Sequence, residues 1–472
     1  MSAAMLIARD EWRALLRNRA GLLATALLVL LVLVASFTSL ERRAHIEADR
    51  DRYQASVDAE FDAQPDRHPH RMVHYGQFVF RPIAPLAFFD SGVNSYTGNT
   101  VFLEGHRQNS ANFAEARQSS MLVRFGALTP AFVLQTLAPL LLIFLGFASV
   151  SRERERGTLR LMLAQGVGAR DLVLGKLLGQ CAIALGLGLP AFVVLCGFAA
   201  MGAASWAASL SLAAGYAAWL LLWALLSVAA SALLRRSRDA LAVLIGVWMV
   251  SVILLPRVLP EAAAAQTPLD TKIEIEIALH RALAEIGDSH DPDDPYFSDF
   301  RQKVLETYGA ASVEDLPVDY AGLVGMEGER LTTAIYADAA QRTIAREEEQ
   351  NRLVHAFSAI SPLIAIRQLS MTLAGSDLAA HYDFLEQAEA FRYRFVQQLN
   401  RMQVDLIPDI GGEDPRISAE FWRAIPSFEY RPAAPFDRPA DLVWPAGVLA
   451  AWLAALAALT LYAARRLERG VR

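Results

Sequence analysis

Charge-free runs alternate with charge-rich stretches along this chain, and the lengths of those runs set its architecture. From Ala20 to Leu40 no charged residue occurs, and 22–34 is almost all Leu, Val and Ala. As a helix this run covers the roughly 30 Å of a bilayer's hydrocarbon. Arg9, Arg13, Arg17 and Arg19 precede it, as in a cleaved signal peptide. The run is longer than the usual signal core of about 7–15 residues and no clean A-x-A site follows, so an uncleaved first span is expected. The second run lies between Arg124 and Arg152 and contains Pro130 and Pro139, which membrane helices tolerate. Residues 177–234 carry no charge at all. That is too long for one helix and right for spans three and four, with a tight turn near 202–206. Span five is expected at 240–259, ending at Pro256 and Pro260, and span six at 442–464.

The short loops fix the orientation. Arginine and lysine concentrate in four places: the N-terminus; Arg152, Arg154, Arg156, Arg160, Arg170 and Lys176; Arg235, Arg236 and Arg238; and the tail with Arg465, Arg466, Arg469 and Arg472. Six spans put all four clusters on one side, which the positive-inside rule makes cytoplasmic. The expected fold is therefore an all-α membrane protein with about six transmembrane helices and both termini cytoplasmic, in the plasma (inner) membrane. It divides into an interfacial helix with span one (1–40), a first extracytoplasmic segment (41–125), spans two to five (126–259) with a cytoplasmic loop at 151–175, a second extracytoplasmic helical domain (260–440), and span six with its tail (441–472).

Within the insertions, 41–75 alternates charges and then turns to His and Pro, predicting a helix that leaves the membrane and ends in a loop. Aromatic and β-branched residues with the turn formers Asn94, Gly98 and Asn99 predict short extended pieces in 78–103. Apolar residues recur at helical spacing in 269–286, 326–360 and 378–404, with breaker-rich loops at 291–295 and 410–415.

Composition agrees with two solvents sharing one chain: of 472 residues 54% are hydrophobic and 20% charged, below the roughly 25% charge of soluble domains. The net charge of −6 and the lack of a basic stripe interleaved with aromatics leave nucleic acid binding unsupported. Cys181 and Cys196 share one apolar run, about 22 Å apart on a helix, and read as packing residues.

Span two runs directly into SRERERGTLRLML at 151–163, and Gly166-Val167-Gly168 then leads to Gly175-Lys176 at the start of span three. Physically this is a charged helix end, a glycine break and a short amphipathic helix under the membrane. Its apolar residues Leu159, Leu161, Met162 and Leu163 suit a groove in a cytoplasmic partner, which could then move two spans together. An ordinary positive-inside loop explains the arginines but not the paired Glu153 and Glu155. These residues resemble the ABC-2 type permeases, in which span two ends in a Glu-x-Glu-x-Gly-Thr-Leu stretch that couples to the ATPase. Glu153, Glu155, Gly157, Thr158 and Leu159 fill those positions, although Gln165-Gly166-Val167-Gly168 stands where the family commonly has a proline. Residues 5–18 look like that family's interfacial helix, and the layout is similar to the subgroup with two large extracytoplasmic insertions.

The resemblance implies a membrane-spanning permease subunit that couples ATP hydrolysis in a separate ABC ATP-binding subunit to export or extraction of a substrate. Gly175-Lys176-Leu177 lacks the spacing and the Ser/Thr of a phosphate-binding loop, so no cofactor is expected in this chain and ATP with magnesium belongs to the partner. The spans also lack the charged side chains of ion-coupled carriers. A second permease chain, identical or related, is expected, because six helices with few polar residues offer no enclosed hydrophilic path. Gly186, Gly188, Gly197, Gly202, Ala203 and Ala204 would permit close helix contact. The competing class is a membrane-anchored assembly or sensor protein whose extracytoplasmic domains bind a partner; it needs no coupling helix.

His68, His70 and His74 have a spacing that copper or zinc accepts. Without a fourth ligand a solvated loop is the preferred reading, and no metal site is assigned. Asp291, Asp293 and Asp294 lack the glycine and distal glutamate of a calcium loop. No serine or histidine has a nucleophile-elbow context, so no catalytic residue is assigned.

Overall fold

A computed structural model describes residues 2–111, 128–287, 291, 294–410 and 415–469. Arg124, Asp293, Arg472 and positions 411–414 of the second breaker loop lie outside the described residues. Helix α1 (Ala3–Arg17) begins at Ser2, whose side chain accepts from the Met5 N–H. Asn18 leaves the helical region, with ψ at 93°, and its side chain accepts from the Gly21 N–H to start α2 (Arg19–Asp62). One residue thus separates an amphipathic helix from a 44-residue helix, whose first half is apolar and whose second half carries the charges of 41–62.

Among the described residues, six helices are long and apolar enough to cross a membrane: α2, α4 (Pro130–Glu155), α6 (Ala169–Ala200), α7 (Trp206–Leu233), α8 (Ser237–Gln266) and α14 (Pro439–Arg469). The protein is an all-α membrane protein, as its hydropathy requires. Span five does not end at 259, before Pro260, as expected but runs through Pro256 and Pro260 to Gln266. A proline removes one donor and crowds the preceding turn, and here a π-helical turn at Met249–Leu254 widens the helix just before Pro256. The same device, Val133–Leu137, precedes Pro139 in α4.

Helix α7 forms the centre of the bundle: 67% of its apolar window is buried, against 17% for α8 and 22% for α14, which leaves the latter two most open to lipid or another chain. Tyr216, Trp219 and Trp223 of α7 are almost wholly enclosed.

Between spans five and six the chain forms α9 (Lys272–Ile286), α10 (Pro295–Tyr308), α11 (Tyr320–Ala356), α12 (Pro362–Ala374) and α13 (Leu378–Ile410). Neither α10 nor α12 was predicted by the periodicity. Helix α12 is buried on nearly every side, so it shows no polar stripe to reveal a period. It lies against α7, where Leu369 and Ile366 cover Gly215. The segment 260–440 is therefore partly built into the bundle.

A second core lies away from the bundle. It joins Phe61 at the end of α2, Met72 and Val73 of α3 (Pro69–Tyr75), Val79 and Val101 of a small hairpin, and Phe384, Phe391, Phe395 and Leu399 of α13. The hairpin pairs β1 (Gln77–Phe80) with β2 (Thr100–Leu103) antiparallel, Gln77 opposite Leu103. Residues from both insertions thus share one hydrophobic core.

Candidate functional site

The corner between spans two and three begins where α4 ends at Glu155. Gly157 follows with φ at +78°, a left-handed conformation that a side chain would strain, although a Cβ there would meet nothing within 4 Å. The chain then turns into α5 (Thr158–Ala164). The Thr158 hydroxyl donates to Glu153 at both its carbonyl (3.1 Å) and its carboxylate (2.5 Å), closing the turn.

The charges of this corner are committed inside the chain. Lys176, 8% exposed on α6, lies 3.0 Å from Glu153 Oε1 and 2.5 Å from Glu11 Oε1 on α1. Helix α1 can come this close because Gly175 and Gly179 leave room: a Cβ on Gly175 would sit 2.6 Å from Ile7 Cβ, and one on Gly179 2.6 Å from Glu11 Cβ. Glu155 accepts from the Ser237 N–H (2.7 Å) and hydroxyl (2.8 Å) at the first turn of α8. A carboxylate is favoured at that helix N-terminus. Arg154 donates to the Leu234 and Ala232 carbonyls at the end of α7, where a cation complements the helix dipole. Ser231 joins the same seam by accepting from the Val150 and Ser151 N–H groups.

The apolar residues of α5 divide differently from the expectation of one docking face. Leu159 is 3% exposed and packs with Val150, Leu172, Val228 and Ala463. Met162 and Leu163 lie against the same cluster, whereas Leu161 is 63% exposed, and Arg156 and Arg160 are exposed as well. Spans two, three, four and six and α1 all meet this cluster or its charges, so α5 rests on a platform that these helices share.

Two further sites were not legible as units. Gln135 of α4 donates to the Tyr216 hydroxyl at 2.7 Å, Tyr216 lies 2.9 Å from the Ser370 hydroxyl on α12, and Ser370 donates to Asp90 at 2.5 Å. Arg367 completes this chain through Gln135 at 3.3 Å. Burial pushes the Asp90 carboxyl above its ordinary pKa, against the bonds from Ser370 and the Gly92 N–H. The spans themselves carry no charge here; an acid and a base from the connecting segments bring it to them. Where α2 meets α12, α13 and the irregular segment 430–438, a cavity of about 540 Å³ is lined by Arg43, Glu47, Arg81, Asp383, Tyr430 and Arg438 among others. Burial lowers the Arg81 pKa.

The weaker sequence candidates separate. His70 and His74 meet His106, not His68, whose ring accepts from the His70 N–H at the start of α3. Asp294 accepts from the Tyr296 and Phe297 N–H groups as the cap of α10, a structural role, and Asp293 lies outside the described residues. Cys181 and Cys196 are both free thiols.

Residues 104–269 match the family described as ABC-2 family transporter protein. Residues 272–431 match a domain of unknown function (DUF3526). No curated protein matches the chain.

Proposed function

We propose that this chain, which is an ABC-2 type permease and hence the membrane part of an ABC transporter, takes up the motion of a separate ATP-binding subunit at the α4–α5 corner and passes it to the spans. The observation that carries this reading is the division of labour at the corner. Glu153 and Glu155 bind it to α6, α1 and α8, while Leu161, Arg156 and Arg160 remain outward for a partner. A force on α5 therefore moves several spans together instead of bending a loop. A protein that only anchors its external domain needs no such brace. ATP and magnesium bind in the partner subunit, and substrate is exported or extracted by the spans.

The test uses the permease with its cognate ATPase in proteoliposomes. Glu153→Ala/Glu155→Ala inserts and assembles, yet loses transport-linked ATP hydrolysis by about ten-fold or more, the effect of about 1.4 kcal/mol in the coupled step. Leu161→Glu weakens ATPase binding without loosening the spans. Coupled hydrolysis at wild-type rate in the double variant removes the assignment. Two permease chains meet in the working complex, with two ATPases beneath them. The uncovered helices α8 and α14, and Gly186 and Gly197 of α6, which face nothing within 4 Å, supply the surface for that contact. Native mass spectrometry of the same active complex reads the copy number, and a single permease chain in it would remove the two-half arrangement.

Both termini and the corner are cytoplasmic, since the arginine clusters share that face, and the domain built from the two insertions lies outside. An impermeant thiol reagent applied to intact cells labels Ser56→Cys and spares Arg238→Cys. The opposite pattern reverses the orientation.

A further inference from the structure

We infer that His70, His74 and His106 form a binding site for one divalent late transition-metal ion, of the zinc and copper class, on the domain built from the two insertions. The three rings offer ligand atoms that all lie within 4.8 Å of one another. His70 and His74 stand one turn apart on α3, the i, i+4 spacing that puts two side chains on one helix face, and their Nε2 atoms are 3.1 Å apart. Two nitrogens bound to one zinc at about 2.0–2.1 Å, with a tetrahedral angle between them, lie roughly 3.3 Å apart. The pair is therefore spaced for a shared ion. Mutual hydrogen bonding alone would also bring two imidazoles this close, but it would not call for a third ring.

That third ring is held in place at some cost. His106 has φ at +61°, the left-handed region, and is the only non-glycine residue with positive φ among those described. Its loop is fixed on α3 by the Gly105 N–H, which donates to the Val73 carbonyl at 3.1 Å. The approach is so close that a Cβ on Gly105 would lie 2.2 Å from Val73 Cγ1. The His106 N–H donates to Glu329 Oε2 at 2.9 Å, and its ring Nδ1 lies 3.5 Å from the same oxygen. A carboxylate on one ring nitrogen of a histidine leaves the other to bind metal and raises its basicity. Glu329 is fully buried and fixed by Arg392.

The electrostatics favour a cation. The guanidinium of Arg392 is shared between two carboxylates, Glu329 and Glu389, so the network behind His106 does not repel a metal ion. Three neutral imidazoles suit zinc and copper over magnesium or calcium, which prefer oxygen ligands. His74 is exposed and the other two rings are half-buried, so the fourth position opens to solvent, where water or a ligand group of a substrate can complete the shell.

The experiment titrates zinc into the full-length protein, purified in detergent without a histidine tag and stripped with chelator, and follows binding by calorimetry and competition with a chelating dye. Wild type takes up one ion per chain. His74→Ala, a change at an exposed ring, weakens binding by more than the roughly 10–100-fold that loss of an outer-shell partner costs. Glu329→Gln weakens it within that 10–100-fold range. His68→Asn, which keeps a side-chain acceptor at the start of α3, leaves it unchanged. X-ray absorption of the zinc-loaded protein shows three nitrogen neighbours at about 2.0 Å. Absence of stoichiometric uptake in wild type, or equal uptake by His74→Ala, overturns the site.

Discussion

Replacing Lys176 by Met is expected to free the N-terminal helix from the bundle and to uncouple the corner. Met keeps the length and apolar stem of the lysine, so packing on α6 is nearly unchanged. What it removes is the one cation that Glu11 and Glu153 share at 2.5 and 3.0 Å. Breaking a buried ion pair from one side costs about 3–5 kcal/mol, because the remaining charge stays in a poor solvent. The two carboxylates keep 21% and 24% exposure, which places this case at the low end, about 3 kcal/mol. Such a loss raises opening of the contact by roughly 100-fold. Hydrogen exchange of residues 3–17 should speed by that factor, and ATP hydrolysis coupled to transport should fall with it. Lys176→Arg should hold both near wild type. Wild-type protection of α1 in Lys176→Met would show that Gly175 and Gly179 alone seat the helix and that the ion triad is incidental.

The sequence made the six spans legible because hydropathy is summed along the chain, and a run such as 177–234 has only one reading in a bilayer. It did not reveal that α8 continues past Pro260 to Gln266. The widening that admits the proline is set by backbone hydrogen bonds around it and leaves no compositional mark. The motif at 153–159 was legible as residues but not as roles. Their spacing marks a helix end and a break, but whether Leu159 faces a partner or the chain depends on where Leu172, Val228 and Ala463 come to rest.

Long-range pairing hid the remainder. Phe61 and Phe395 share a core, their rings 5.8 Å apart, although nearly the whole bundle separates them in sequence. Asp90 reaches the spans only because α12 carries Ser370 down to Tyr216. His106 joins His70 and His74 only because the chain turns back over α3 after β2, whereas the sequence grouped His68 with His70 and His74. A search for histidines flanking a predicted hairpin would have named His106 as a candidate, but not its buried partner Glu329, which comes from α11.

Arg392→Met is expected to produce the second large loss, in the domain outside the bundle. Arg392 is 2% exposed, and every nitrogen of its guanidinium is engaged: Nη1 with Glu329 (2.5 Å) and the Glu104 carbonyl (3.1 Å), Nη2 with Glu389 (2.7 Å) and Thr333 (2.8 Å), and Nε with Glu389 (2.9 Å). Burial works to lower its pKa, but the hydrogen bond to Glu389 and the charges of Glu329 and Glu389 outweigh it, so the group stays charged when folded. Methionine fills much of the volume and leaves Glu329, with no exposed surface, facing no cation. The cost falls at about 3–5 kcal/mol, as for other buried pairs broken from one side. Because the loss is local, the informative measurement is hydrogen exchange in α13 and the 104–107 loop, where protection should drop by roughly 10²- to 10⁴-fold while the spans stay protected. Adding Glu329→Gln to Arg392→Met removes the stranded charge and should recover part of the protection, since the two side chains act as one unit. Protection in Arg392→Met within about ten-fold of wild type, a shift of only about 1.4 kcal/mol, would mean that the apolar contacts of Phe391, Phe395 and Leu399 hold this domain without the ion network.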